Sequence, residues 1–423
     1  MTLLEEVKRG AKTEELSKVA KKEKIPEDTF YRRIASGKIV VMRHRGDYVA
    51  IGKGLRTKVN CSIGSSPDLV DIDMEVKKAI TGVESGADSL MELSTGGDLD
   101  EIRRRVLDAV DVPVGSVPLY QAAINSIRKN GSILHMTEDD IFNSVKRHAK
   151  DGIRFMAIHC GINKLTYDRV MNQGRYGGIV SRGGAFLLSW IDFNETENPL
   201  YANFDYLLEI LKEHEVVLSL GNGMRAGCIH DSLDRAQTME LIVNCELADR
   251  ANEAGVQAIV EGPGHIPINE IEAFVKLQKR LSGEKPFYVL GPITTDVAPG
   301  YDHITSAIGS AIGSSVGVDF ICYVTPAEHL ALPYPEDVKE GVMASRIAAH
   351  IGDMIKYDRR DQDLGMAKAR REVNWKEQFK FCLDPKRAEE IRGSRPSEFD
   401  DTCAMCGEYC ALKLLKTKVK LLG

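Results

Sequence analysis

Lys58-Val59-Asn60-Cys61-Ser62-Ile63 alternates polar and apolar side chains and is followed at once by Gly64-Ser65-Ser66. Such an alternation, ended by glycine and serine, predicts a β-strand that runs into a loop. The same order of short apolar run, polar loop and helical periodicity recurs along the chain. The predicted strands are Lys58–Ile63, Ser89–Leu93, Val112–Val117, Arg154–His159, Val216–Leu220, Ala258–Glu261, Phe287–Leu290 and Asp319–Val324. Eight strands that alternate with helices indicate an α/β fold of the (β/α)8-barrel type.

An open, doubly wound sheet is the alternative fold. Its glycine-rich phosphate turn is expected directly after the first strand, with the spacing GxGxxG. Ile63-Gly64-Ser65-Ser66 lacks that spacing. The barrel therefore fits better.

The predicted barrel occupies residues 58–358, between two smaller parts. Residues 1–57 contain short charged helical stretches and the β-like Lys38-Ile39-Val40-Val41-Met42, which we interpret as an N-terminal cap domain. A helix-turn-helix DNA-binding unit is the other reading of the paired helices. Charge density rises through residues 358–363, so residues 359–423 are predicted to form a C-terminal helical arm.

Composition favours a small-molecule partner in the cytoplasm. The chain of 423 residues carries 56 Lys and Arg against 62 Asp and Glu, a net charge of −6 without a basic block. Nucleic-acid binding needs clustered basic residues, so no nucleic-acid partner is expected. The nine cysteines lack the regular spacing of a disulfide framework, which favours a reducing compartment. No apolar run reaches the roughly 18 residues that span a membrane, so no membrane partner is expected.

Three thiols lie close together in Cys403-Ala404-Met405-Cys406-Gly407-Glu408-Tyr409-Cys410. Soft ligands this close usually hold iron or zinc. No histidine follows His350, so an iron–sulfur cluster with one open iron fits best. An open iron can bind S-adenosylmethionine and cleave it to a carbon radical. A zinc site completed by Cys382 and three unligated thiols are the alternatives.

Polar residues follow the ends of the predicted strands. Loops after barrel strands meet on one rim, so these side chains are expected to form one pocket. They include Ser62, Glu92, Ser94, Thr95, Tyr120, His159, Asn222, Arg225, Glu261, His265, Asp296 and His329. The glycine-rich stretch at residues 177–184, with Ser181 and Arg182 at its centre, suits a phosphate, although glycine runs are also found in plain turns.

Two loop histidines form a possible metal pair on this rim. His265 follows Glu261-Gly262-Pro263-Gly264, and His329 follows Thr325-Pro326-Ala327-Glu328. A lone histidine is as often a hydrogen-bonded structural residue. Glu261 is a candidate base or ribose-hydroxyl acceptor, with a structural carboxylate as the alternative. Met91 and Tyr120 are typical of a core from the residues alone.

Several motifs together resemble the family of the thiamine pyrimidine synthases (ThiC) and their paralogues that make 5-hydroxybenzimidazole. They are residues 52–60 (GKGLRTKVN), 91–96 (MELSTG), 179–184 (IVSRGG), 261–265 (EGPGH), 290–303 (LGPITTDVAPGYDH) and 322–329 (CYVTPAEH). The similarity extends from about residue 38 to the cysteine motif.

The resemblance implies a homodimeric radical enzyme that rearranges 5-aminoimidazole ribonucleotide, with an unidentified electron donor. It implies a [4Fe-4S] cluster on Cys403, Cys406 and Cys410, S-adenosylmethionine, and Zn2+ or another divalent metal on His265 and His329. Glu261, Asn222 and Tyr288 would be catalytic. Substrate contacts would fall on Ser62, Met91, Tyr120, His159, Ser181, Arg182, Gly183, Asn222, Gly223, Met224, Arg225, Glu261 and Tyr288.

Three departures from the pyrimidine synthases bear on the product. The cysteines are spaced C-x2-C-x3-C rather than C-x2-C-x4-C, Ser62 replaces an asparagine, and Asn222 replaces an aspartate. Loss of a negative charge at Asn222 is expected to steer the radical intermediate differently. We therefore expect 5-hydroxybenzimidazole, the lower-ligand precursor of cobamides, as the product. The alternative product is 4-amino-5-hydroxymethyl-2-methylpyrimidine phosphate, for thiamine.

Two other classes of function fit parts of the sequence. A regulator would combine DNA-binding N-terminal helices, a barrel that senses a small molecule and a zinc-binding tail. A metal-dependent lyase or aldolase would use His265 and His329 for chemistry and would stay active without the cysteines.

Overall fold

The computed structural model describes residues 1–399, 401–416 and 418–419. Packing divides the chain into one unit at Met1–Asp353 and a second at Met354–Gly423. The domain boundaries expected near residues 57 and 358 stay predictions.

The first unit contains a closed barrel of eight parallel strands, as the sequence predicts. The chain begins with α1 (Leu3–Lys8), α2 (Glu14–Lys22), α3 (Glu27–Ala35), β1 (Ile39–His44) and β2 (Asp47–Gly52). The barrel strands are β3 (Lys58–Ile63), β4 (Ser89–Glu92), β5 (Val114–Ser116), β6 (Phe155–Ile158), β7 (Val217–Leu220), β8 (Ala258–Glu261), β9 (Phe287–Leu290) and β10 (Phe320–Cys322). They pair in chain order, and β10 pairs with β3 to close the barrel.

Helices separate the strands and cover the outside of the barrel. They are α4 (Ile72–Glu84), α5 (Leu99–Ala109), α6 (Pro118–Asn130), α7 (Glu138–Asp151), α8 (Lys164–Gln173), α9 (Arg182–Asn194), α10 (Pro199–Ala202), α11 (Phe204–Glu213), α12 (Arg235–Glu253), α13 (Ile268–Leu281), α14 (Asp302–Val316) and α15 (Pro335–Tyr357). Most begin with a side-chain cap, such as Asp71 on Met74 N or Asp98 on Glu101 N.

Aromatic side chains fill the interior of the barrel. Phe155, Phe287 and Phe320 are fully buried, and the Tyr288 ring stacks on Phe320 with centroids 4.3 Å apart. Gly115 leaves the space that the Phe155 ring occupies, because a Cβ there would lie 2.4 Å from the ring. The absence of a side chain at Gly115 on β5 therefore lets the large Phe155 ring on β6 pack in the core.

Three strands match their predicted bounds, and the others are shorter. β5 begins only at Val114, because Pro113 has no N–H to donate to a neighbouring strand. β10 begins after Asp319, although Asp319 N donates to Phe287 O at 3.2 Å and the Asp319 side chain accepts from Phe287 N at 3.0 Å. Val117 caps α6 rather than extending β5.

The N-terminal elements form a small core of their own. α1, α2 and α3 bury Leu4, Leu16, Phe30 and Ile34 against the antiparallel β1–β2 hairpin. The outer edge of β1 is completed by a side chain of the barrel. Val41 N donates to Gln257 Oε1 at 2.7 Å, and Gln257 Nε2 donates to Val41 O at 2.9 Å. One amide therefore joins the hairpin to the barrel with two hydrogen bonds.

The second unit consists of short helices and the cysteine motif. They are α16 (Asp361–Arg371), α17 (Trp375–Phe381), α18 (Pro385–Ser394) and α19 (Ala411–Leu415). The Arg392 guanidinium lies 4.0 Å from the centroid of the Trp375 ring and donates to Thr402 O at 3.1 Å. Among the described residues, no helix combines the length and the apolar character needed to cross a membrane.

Gly115→Ala is expected to destabilise the barrel by about 1–3 kcal/mol, because the added methyl group would overlap the buried Phe155 ring. Gly393→Ala is the matched control, since a Cβ there meets nothing within 4 Å. Denaturant unfolding of the two variants measures the difference. Equal unfolding midpoints would contradict this account of the core.

Candidate active site

A cavity of about 440 Å³ opens at the carboxyl end of the barrel. Strands and the loops that follow them supply its lining, as expected for a barrel pocket. The structure brings together many of the side chains that the sequence predicts for the site. Those that line the cavity are Ser62, Met91, Tyr120, His159, Arg182, Arg225, Glu261, Tyr288 and His329.

Glu261 ends β8 with a buried carboxyl group. Its Oε1 accepts from Ser219 Oγ at 2.7 Å, and its Oε2 accepts from Asn222 N at 3.2 Å. Burial raises the pKa of Glu261, while these hydrogen bonds and the charge of Arg225 act in the opposite direction. A buried carboxyl group with a raised pKa at the end of a barrel strand is a candidate for proton exchange with a bound molecule.

His159 is a neutral imidazole in the wall of the cavity. Burial, followed by the charge of Arg225, lowers the pKa of His159 to about 3. Ser181 Oγ lies 3.4 Å from its Nε2, and a Cβ on Gly183 would lie 2.3 Å from its ring. Ser181 and Gly183 lie outside the set of lining residues and instead hold the His159 ring in place.

α9 points its N-terminus toward this part of the barrel. Ser181 caps the helix by accepting from Gly184 N at 3.1 Å. The guanidinium of Arg182, the first residue of α9, lies 5.2 Å from the centroid of the Tyr120 ring. A helix N-terminus with an adjacent arginine is a suitable environment for an anion such as phosphate.

Asn222, Gly223 and Met224 lie behind the wall rather than in the cavity lining, because Glu240 binds all three. Glu240 Oε2 accepts from Asn222 Nδ2 at 2.7 Å and from Met224 N at 2.8 Å, and Oε1 accepts from Gly223 N at 2.8 Å. Burial raises the pKa of Glu240 to about 8, although the backbone hydrogen bonds lower it. Glu240 was not among the site residues predicted from the sequence. The available signal was a carboxylate in the apolar run of α12, between Met239 and Leu241.

Four side chains meet at the β3–β10 seam. Asn60 Nδ2 donates to the Tyr288 hydroxyl at 2.9 Å, and Ser62 Oγ lies 3.2 Å from Cys322 Sγ. Burial raises the pKa of Cys322, so its thiol stays protonated. Asn60 and Cys322 were not among the site residues predicted from the sequence. Their positions opposite each other in the β3–β10 register become visible only when the barrel closes.

The side chains of His265 and His329 are adjacent, with ring centroids 5.1 Å apart. Each has a carboxylate on its Nδ1 side, at 2.7 Å from Asp296 Oδ1 for His265 and 3.5 Å from Asp302 Oδ2 for His329. The hydrogen bond to Asp296 fixes the tautomer of His265 and leaves its Nε2 free for a metal. The longer contact with Asp302 places a negative charge beside His329 without forming a hydrogen bond. Burial lowers the pKa of His265, which favours the neutral ring that a metal requires. These residues therefore fit a divalent cation.

The cysteine motif is a short turn with three free thiols. Gly407 N donates to Cys403 O at 2.9 Å, and Tyr409 N donates to Cys406 O at 3.0 Å. Backbone N–H groups of Cys406 and Met405 lower the pKa of Cys403, which favours the ligating thiolate. Desolvation and the nearby Cys403 and Cys410 thiols raise the pKa of Cys406. Thiols that interact in one tight turn fit a shared iron–sulfur cluster.

The barrel, its polar rim pocket and the thiol turn define a (β/α)8-barrel enzyme with a metal–sulfur cofactor. The profile of the radical SAM ThiC family matches residues 2–417. The chain belongs to this radical SAM family, and membership implies S-adenosylmethionine and an iron–sulfur cluster as its cofactors.

Curated relatives cover the full length of the chain. The phosphomethylpyrimidine synthase of Methanospirillum hungatei JF-1 is 58% identical over 425 residues, covering 100% of both chains. That of Methanoculleus marisnigri is 59% identical and covers 98% of this chain and 99% of its own. Phosphomethylpyrimidine synthase 1 of Methanothermobacter thermautotrophicus is 58% identical, with 98% and 97% covered.

Similarity to solved structures is more remote. A dihydropteroate synthase from Coxiella burnetii covers 75% of this chain and 98% of its own, at 13% identity and a TM-score of 0.43. So distant a likeness carries no functional information.

The expected 5-hydroxybenzimidazole product is contradicted by these relatives, which are named as phosphomethylpyrimidine synthases. The structure shows why Asn222 was misleading. Its side chain is 2% exposed and binds Glu240, so the residue does not set the charge of the cavity wall. Ser62 faces the cavity, but its hydroxyl is engaged with Cys322.

Glu240→Gln is expected to loosen the loop after β7 and to change the pH dependence of stability. The usual pKa of 4.5 rises to about 8 in the folded protein, so folding takes up a proton between these values. The free energy of unfolding contributed by Glu240 therefore falls as pH rises through this range. Gln also places an N–H group against backbone donors, at a cost of about 1–3 kcal/mol.

Unfolding of the wild type and Glu240→Gln between about pH 6.5 and 8 measures this slope, because both proteins share His159 and its contribution cancels in the comparison. The variant should show a flatter profile. Glu246→Gln, on the exposed face of the same helix, is the control. Identical slopes in all three proteins would contradict the protonation assigned to Glu240.

Proposed function

We propose that this chain rearranges 5-aminoimidazole ribonucleotide into 4-amino-5-hydroxymethyl-2-methylpyrimidine phosphate for thiamine biosynthesis. The observation that carries the proposal is the 55–59% identity to phosphomethylpyrimidine synthases over nearly the whole of each chain. The barrel pocket supports it, since its lining includes the basic residues Arg182 and Arg225 as well as the hydrogen-bonding groups of Ser62, Glu261 and Tyr288. A volume of about 440 Å³ suits a mononucleotide.

In this proposal the substrate phosphate binds at the N-terminus of α9. The Arg182 guanidinium supplies a positive charge, and the first turn of the helix supplies N–H groups. Arg225, which also lines the cavity, adds a second positive charge. The imidazole and ribose of the substrate then face Ser62 on β3, Tyr288 on β9 and Glu261 on β8.

Glu261 is the candidate acid–base group. Burial raises the pKa of Glu261, which favours the protonated form relative to an exposed carboxyl group. Ser219 and Asn222 N fix the orientation of the carboxyl group. Tyr288 donates or accepts a hydrogen bond without ionising, because burial raises its pKa well above the usual value. His159, neutral for the same reason of burial, offers a hydrogen bond without a positive charge.

Cys403, Cys406 and Cys410 would hold the cluster, which with bound S-adenosylmethionine supplies an adenosyl radical. The turn presents the three thiols together, and the backbone N–H groups around Cys403 stabilise negative charge on sulfur. His265 and His329 would hold a zinc-type cation, with Asp296 orienting the His265 ring so that its Nε2 is free to bind. An electron donor and a homodimeric assembly stay predictions.

Anaerobic turnover with 5-aminoimidazole ribonucleotide, S-adenosylmethionine and a chemical reductant is expected to yield the hydroxymethylpyrimidine phosphate. Mass spectrometry of the product tests this directly, and growth of a thiamine auxotroph that carries the gene tests it in a cell. Absence of this product from protein with a full cluster would contradict the proposal.

Cys406→Ala is expected to abolish cleavage of S-adenosylmethionine, because two thiolates do not hold the open cluster. Cys382→Ala is the matched control, since this thiol lies outside the turn and should leave cleavage unchanged. Release of 5′-deoxyadenosine and bound iron are measured together. Cleavage at the wild-type rate in Cys406→Ala would show that the cluster lies elsewhere.

His329→Ala is expected to lower the zinc content of the purified protein while its iron content stays constant. The variant keeps only one of the two histidine ligands, so its affinity for zinc should fall by more than about tenfold. His214→Ala provides the control, because this histidine lies at the end of α11, away from the pocket. Elemental analysis measures both metals. Unchanged zinc in His329→Ala would argue against the pair.

A further inference from the structure

A second cluster of metal-ligating side chains lies beside the His265–His329 pair. Cys228 and His230 belong to the loop after β7, and Asp296 belongs to the loop after β9. One ligand atom from each of the three residues lies within 4.8 Å of the other two. We propose that Cys228, His230 and Asp296 bind a divalent cation of the zinc type.

The chemistry of the three groups matches such an ion. A thiolate, an imidazole and a carboxylate are the three ligand types that zinc accepts, and three protein ligands leave a fourth position for water. Cys228 is partly exposed, and His230 and Asp296 are exposed, so the ion and its water have access from solvent. The short spacing Cys228-Ile229-His230 brings two ligands from one turn, and Asp296 adds the third from another loop.

Asp296 is already oriented for this role. Its Oδ1 accepts from His265 Nδ1 at 2.7 Å, and its Oδ2 accepts from Ile229 N at 2.9 Å. The second bond ties the carboxylate to the residue between Cys228 and His230. A carboxylate has about four acceptor positions, so two hydrogen bonds leave room for a metal bond.

Binding would exchange one proton. The Cys228 thiol donates to Asp231 Oδ2 at 3.4 Å, and the thiol loses this proton to solvent when its sulfur bonds the metal. Asp231 keeps its other donors, which are Tyr176 N at 2.9 Å and Gly177 N at 2.7 Å. The balance is one metal ion bound and one proton released, without oxidation or reduction.

At this location the ion would have a structural role. Asp231 connects the Cys228 loop to Tyr176 and Gly177 at the start of the glycine-rich stretch, and Asp296 connects it to His265. A cation here would therefore cross-link the loops after β7 and β9 and limit movement of the His265 ring. It would be a site separate from the pair of histidines, which use the other ring nitrogen.

The test uses the full chain with its cluster reconstituted, equilibrated with zinc and then with cobalt. Cys228→Ser and His230→Ala should each lower the zinc content by close to one ion per chain, with iron unchanged and with the second ion at His265 and His329 retained. Zinc affinity at the lost site should fall by more than about tenfold. Cys382→Ser and His214→Ala, a thiol and an imidazole outside the cluster, should lose no zinc.

Cobalt identifies the ligand atom independently of stoichiometry. In protein with the cluster in place, Co2+ should give a near-ultraviolet sulfur-to-metal charge-transfer band that disappears in Cys228→Ser and persists in Cys382→Ser. Thermal unfolding of each variant without added metal shows that the fold is retained. Equal zinc content in wild type, Cys228→Ser and His230→Ala, or a cobalt band that survives Cys228→Ser, would overturn the site. Loss of zinc only in His329→Ala would overturn the proposed site at Cys228, His230 and Asp296. The assignment of a metal to His265 and His329 would then still stand.

Discussion

The carboxyl group of Glu240 lies beneath the loop after β7 and accepts three hydrogen bonds from it. A loop of this kind has little apolar surface to bury, so its shape depends on such directed contacts. The loop in turn delivers Arg225 to the cavity, where its charge acts on both Glu261 and His159. The Glu240 carboxyl group on α12 therefore supports the loop that places the charge of Arg225 in the cavity wall.

The barrel was predictable because its strands carry their own signal. Alternation in Lys58–Ile63 and short apolar runs such as Phe287–Leu290 survive as strands, since the same residues that favour extended backbone also fill the interior. Rim residues such as Ser62 and Glu261 were predictable for a related reason, as each directly ends a strand. The contacts of Glu240 were not, because a partner on a helix some twenty residues away leaves no local pattern.

The product was predicted wrongly because the substitution at Asn222 was interpreted without Glu240, the residue that its side chain contacts. At position 222, the loss of a charge has meaning only if the side chain faces the substrate, and Asn222 faces Glu240 instead. The buried Oδ1 of Asn222 has no hydrogen-bond partner among the residues that the structure describes, and burial raises the pKa of its neighbour Glu240 to about 8. Charge in a buried cluster is shared among its members, so identity at one position does not determine the field in the pocket.

The side-chain amide of Gln257 forms the same two hydrogen bonds with Val41 that the backbone of a third strand would form. A two-stranded hairpin has open edges, and an open edge can recruit an extended segment from another molecule. On β1, the outward N–H and C=O of Val41 are already occupied, and they are occupied by a residue that precedes β8 of the barrel. At Val41 the edge of β1 is therefore closed to an extended segment of another molecule only after the barrel has formed, which makes the order of folding relevant to aggregation during synthesis.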